Sequence, residues 1–158
     1  MTPNSFIKTL TVIHFALVAG LTLFAGVILY LDRDKLNFAF DTEDTLLLIF
    51  PIIAISALSA SKIVVKQLLE KAKKTEDLKK MLPQYQTACI VKYVLIEGPA
   101  MFGIIFFMIT SNAAFVAISG ALIAFLMLQR PTKSKVEQEL ELHGELRNQF
   151  MRYDEVIE

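Results

Sequence analysis

Between Thr9 and Leu31 no residue carries a formal charge over 23 consecutive positions. A run beyond about 18 apolar residues is long enough to cross the hydrocarbon core of a bilayer as a helix. The run ends at Asp32-Arg33-Asp34-Lys35, where charge returns to water. Three further segments repeat the pattern: 45–65, opening after Asp41-Thr42-Glu43-Asp44 and uncharged through Ser61, with Lys62 able to snorkel; 88–109, interrupted by Lys92 and Glu97; and 113–129, stopped by Arg130-Pro131. Thr110-Ser111-Asn112 leaves room only for a tight hairpin between the last two. Lipid offers the backbone no hydrogen-bond partners, so the pattern predicts an all-α membrane protein with four transmembrane helices rather than open strands. The first run is too long for a signal-peptide core and lacks a small-x-small site before Asp32, so it is read as a retained span.

Outside these runs the pattern predicts short amphipathic helices. In the loop 66–87, Val64, Val65, Leu68, Leu69 and Ala72 recur at helical spacing and prolong the second span. Thr75 restarts a short turn through Leu78, Met81 and Leu82, which Pro83 is expected to end. In the tail, Ser134-Lys135-Val136-Glu137 fits a capping box. Gly144 is the expected stop of that helix, and Leu146 and Phe150 continue an apolar stripe on the next. The organisation expected is a transmembrane domain over 1–131 and a helical tail over 132–158. Asp41 to Asp44 suit the N-terminal dipole of the second span as caps. Asp32-Arg33-Asp34 fails as a calcium loop, because Leu36 and Asn37 stand where an oxygen ligand and a glycine are needed.

Composition adds exclusions. The chain is 54% apolar and 20% charged, with 16 basic and 16 acidic residues. Zero net charge argues against a nucleic-acid partner, and Cys89 alone cannot form a disulfide framework. Of the 16 basic residues, 14 fall in the N-terminus, the middle loop and the tail, and only Arg33 and Lys35 lie between the first two spans. By the positive-inside rule both termini are expected to be cytoplasmic. Lys71, Lys73, Lys74, Lys79 and Lys80 are the candidate contacts to anionic lipid headgroups, each contributing about 1 kcal/mol near the surface.

Catalytic and cofactor motifs are missing: no Walker loop, dinucleotide fingerprint, HExxH or G-x-S-x-G. Neither His14 nor His143 lies in a metal motif, and Cys89 reads as a small packing residue. No enzyme activity, cofactor or metal is assigned. The residue that stands apart is Glu97, nine positions past Ala88 and about 13 Å along the helix axis, near the midplane. A carboxylate there is costly, so it is expected to face the interior, neutralised or hydrogen-bonded. Gly98 and Pro99 follow; a proline removes one backbone donor and displaces the carbonyl of Leu95, which predicts a kink. His14 lies at comparable depth and Tyr93 one turn away, so Glu97, Tyr93 and His14 form either a proton or ion relay or a structural polar site. Small residues at Ala16 and Gly20, at Ala54, Ala57 and Ser61, and at Ala113, Ala117 and Ala121 suit close helix packing.

The stretch Ala54 to Ser61 followed by a cytoplasmic loop and Leu95-Ile96-Glu97-Gly98-Pro99-Ala100-Met101-Phe102-Gly103 resembles the helical hairpin of the rotor-ring proteolipid subunits of rotary ATP synthases. That resemblance covers about a third of the chain and implies proton handling at Glu97. The chain departs from it in lacking a regular glycine stripe, in Pro99 and in two extra spans. As a whole the chain resembles small four-span proteins of bacterial inner membranes. The function expected is that of a non-enzymatic subunit or scaffold of a larger membrane assembly, as a homo-oligomer or with other membrane subunits and lipids. The alternatives are a small proton- or cation-coupled transporter centred on Glu97, and a regulator that binds a lipid or small molecule.

Overall fold

A computed structural model of the chain describes residues 2–38 and 45–157. The described residues are helical apart from turns and one isolated bridge, Asn37 to Asn112. Helix α1 spans Pro3–Leu31, a 3-10 turn Arg33–Lys35, α2 Thr45–Lys73, α3 Leu78–Thr110, α4 Ala113–Leu128, α5 Lys133–Glu139 and α6 Gly144–Met151. Three of them, α1, α2 and α3, are long and apolar enough to cross a membrane. At 29, 29 and 33 residues they rise about 44 to 50 Å, more than the core of a bilayer requires. With 16 residues, α4 rises about 24 Å, and a fourth span is reached only if α4 and α5 count together as one broken span.

Contacts divide the chain into two compact units, Met1–Phe15 with Lys62–Lys92 and Arg130–Glu158, and Ala16–Ser61 with Tyr93–Gln129. The tail thus shares its unit with the start of α1 and the loop region, instead of standing apart after residue 131. Helices of seven and eight residues cannot hold themselves. In the first unit Leu10, Leu78, Leu82, Tyr85, Val136 and Phe150 are fully or almost fully buried, and the Phe6 and Tyr85 rings meet at 6.4 Å. The Asn4 N–H donates to the Tyr153 carbonyl at 3.0 Å, and its amide Nδ2 to Asp154 Oδ1 at 2.8 Å.

Several boundaries differ from the sequence expectation, each for a local reason. Helix α1 starts six residues before Thr9, because Thr2 and Ser5 cap each other reciprocally at 3.1 Å and Pro3 occupies the first helical position. Pro83 does not end a turn. It lies inside α3, which Asp77 opens by accepting from the Lys79 N–H at 2.8 Å; the carbonyl that Pro83 leaves without its donor belongs to exposed Lys79, where water reaches it. Thr132, not Ser134, caps α5, accepting from the Lys135 N–H at 3.3 Å. Gly144 opens α6 instead of closing α5. The helix end is formed by Glu141 in the left-handed region at φ 52°, with Glu141 N–H bonded to Gln138 O and Leu142 N–H to Glu137 O. The proposed caps Asp41, Glu43 and Asp44 lie outside the described residues.

In the second unit the hairpin is as expected: α3 ends at Thr110 and Asn112 caps α4, accepting from the Ala114 N–H at 3.0 Å. Asn37 clips this turn by donating to Ser111 O and accepting from Ala113 N–H, both at 2.8 Å. Three rings, Phe50 of α2, Phe106 of α3 and Phe115 of α4, stand 5.6 Å from one another and fill the core with Ala54, Ala100, Ile104 and Phe107. Gly103 lets this happen, because any Cβ there would collide with Ser119 Oγ and come within 2.5 Å of the Phe50 ring.

Candidate functional site

Glu97 sits on α3 in the second unit and is half-buried. In the stretches 16–61 and 93–129 it is the only Asp, Glu, Lys or Arg outside the loop between α1 and α2. Helical spacing sets its surroundings. Tyr93 and Ala100, one turn away on one flank, are buried at 1% and 0% exposure, whereas Val94 and Met101 on the other flank are 53% and 44% exposed. Instead of facing an interior, the acid stands where the packed side of α3 meets its open apolar side. Among the described residues it has no hydrogen-bond or ion-pair partner.

The expected companions lie as follows. The Tyr93 hydroxyl donates to the Gln129 carbonyl at 3.4 Å, at the end of α4. His14 is buried, at 6% exposure, in the first unit. Pro99 is buried and Gly98 half-buried, and the helix assignment runs through both without a break.

A second polar cluster, in the first unit, was not foreseen. Tyr85, Cys89 and Lys92 repeat at one face of α3, and the tail meets them: Tyr85 donates to Glu139 Oε2 at 2.7 Å, and Lys92 Nζ to Glu139 Oε1 at 3.2 Å. The Lys92 side chain is only 15% exposed because Glu139 takes it up. Two residues on, Glu141 receives Lys73 Nζ at 2.6 Å, and Glu70 shares that ammonium at 3.2 Å. The contacts join residues 47 to 68 positions apart, which no local spacing reveals. The available signal was charge: a tail carrying Glu137, Glu139, Glu141 and Glu145 faces a loop rich in lysine. Of the lysines assigned to headgroups, Lys71, Lys74, Lys79 and Lys80 are exposed, while Lys73 is partly covered by its acids.

The chain matches no known protein family, no curated protein and no solved structure. What it can do therefore rests on these two clusters. One is a lone acid bordering an apolar face, able to accept a donor or a cation from outside the chain. The other is a set of ion pairs that fasten a short tail, in which every charged member has a partner.

Proposed function

We propose that the protein is a four-span inner-membrane protein with both termini cytoplasmic, acting as a non-enzymatic subunit or scaffold of a larger membrane assembly. The observation that carries this reading is Glu97, an acid without a partner among the described residues, at the edge of an open apolar helix face. Lipid alone leaves such a carboxylate unsatisfied, and a donor or cation on a neighbouring subunit satisfies it. The apolar stretches of α1 and α2 point the same way: only 22% of each is buried within the chain. The aromatic filling of the second unit supports a packed support element over a wide aqueous path. The grouping of the N-terminus, loop and tail into one unit supports a common side for the three basic segments.

The test places a photo-crosslinking residue at Val94 or Met101 in native membranes. A protein adduct that disappears with Glu97→Gln is the expected result; adducts to lipid alone overturn the reading. The second reading is proton or cation transport through Glu97, favoured by the same isolated acid. Flux in proteoliposomes that Glu97→Gln abolishes, with assembly unchanged, would establish it. A reporter fused after Glu158 is expected to be active only in its cytosolic form.

A further inference from the structure

The geometry points to Lys73 as a binding site for an anionic lipid headgroup that the tail's Glu141 occupies in the chain by itself. The inference rests on the reading that the loop lies against a membrane. Lys73 closes α2 between Lys71 and Lys74, both exposed. Alone among these three it is held by an acid from a distant part of the sequence, Glu141, at 2.6 Å. A carboxylate and a phosphodiester present the same chemistry to an ammonium, anionic oxygens that accept its N–H groups.

Two features mark the Glu141 contact as exchangeable. Its side chain is 71% exposed, and an ion pair in that setting is weak and easily replaced. Its backbone is left-handed, at φ 52°, a conformation that favours glycine and costs any other residue. A glycine would close α5 more easily there, so what the glutamate contributes is its carboxylate. The inner contact is different. Glu139, 29% exposed, takes a hydrogen bond from buried Tyr85 and an ion pair from Lys92, so α5 stays anchored when the corner at 141–144 lets go. Gly144, also left-handed at φ 54°, gives that corner a second place to turn. An anionic leaflet attracts the three neighbouring lysines together, whereas Glu141 engages one.

The full chain in lipid nanodiscs tests this, with amide hydrogen exchange at Leu142, whose N–H is bonded to Glu137 O. Discs of phosphatidylcholine alone are compared with discs that also contain phosphatidylglycerol. Exchange severalfold faster with phosphatidylglycerol is the expected result. Glu141→Gln, which keeps the length of the side chain and removes its charge, should exchange fast in both discs. Equal exchange of the native chain in the two discs overturns the inference, as does the same acceleration by inorganic phosphate in phosphatidylcholine discs, which would make the site one for free phosphate. A chain that does not enter discs at all overturns the membrane reading instead.

Discussion

The Tyr85 hydroxyl and the Glu139 carboxylate meet at 2.7 Å, and the same carboxylate holds Lys92 at 3.2 Å. One acid of a seven-residue helix thereby satisfies two polar groups that α3 carries into a covered position. The tail is fastened by chemistry that belongs to the loop, and the short helix needs both to persist.

Tyr85→Phe is expected to destabilise the first unit by about 1 kcal/mol, because a hydrogen bond to a charged acceptor is lost while Lys92 still neutralises Glu139. Glu139→Ala should cost about 2 to 3 kcal/mol, since it leaves a mostly covered ammonium without its acid. The double variant Glu139→Ala with Lys92→Met should recover part of that loss. Thermal unfolding in detergent measures all three, and equal midpoints for Glu139→Ala and the native chain would show that the contact contributes nothing.

Gly103→Ala is expected to lower stability by about 1 to 3 kcal/mol, as overpacking does in a filled core. The new methyl meets Ser119 Oγ and the Phe50 ring, on two different helices. Gly120 is the control. An added Cβ there has nothing within 4 Å, and Gly120→Ala should be neutral or stabilising by up to about 1 kcal/mol through helix propensity. The comparison is read from unfolding midpoints of the two single variants, and a Gly103→Ala midpoint no lower than that of Gly120→Ala rejects the close packing.

The all-α character was legible, and so were two helix ends marked by polar residues: Asp32 ends α1 at Leu31, and Thr110-Ser111-Asn112 sets the hairpin turn one residue from where it falls. Helix starts were less legible. At Pro3, Pro83 and Thr132 the outcome depends on which neighbouring oxygen caps the free N–H groups, and several candidates lay within reach in sequence. Glu97 was legible as a lone acid, but not its position at an edge, since the charge pattern does not say which neighbours the helix presents. The Tyr85, Lys92 and Glu139 cluster was the least legible, because its members come from elements brought together only by the fold.

The corner at Glu141 should depend on pH with a definite sign. The hydrogen bond from Lys73 is the main cause that holds this carboxyl below its ordinary value of 4.5, with the charge of Lys73 and, more weakly, of His143 helping. A lowered folded value means that the contact contributes fully above pH 4.5 and is lost as the pH falls through the lowered value. Protection of the Leu142 amide, followed in neutral lipid, is expected to stay level from neutrality to about pH 4.5 and to drop below it. Glu141→Gln should remove that acid limb. A drop that persists in Glu141→Gln would assign the dependence to another group.

Ser119 supplies the last test. Its side-chain oxygen is buried in α4 beside Gly103 and has no hydrogen-bond partner among the described residues. An unsatisfied hydroxyl in an apolar core costs about 1 to 3 kcal/mol, so its removal is favourable unless the space left behind matters more. The deleted atom is small, so the gap it leaves is small as well. Ser119→Ala is therefore expected to raise the unfolding midpoint, and to ease the Gly103→Ala defect only in part, because the Phe50 ring still obstructs the new methyl. The double variant compared with both singles measures that coupling. A Ser119→Ala protein less stable than the native chain would mean that the space left behind outweighs the unsatisfied hydroxyl.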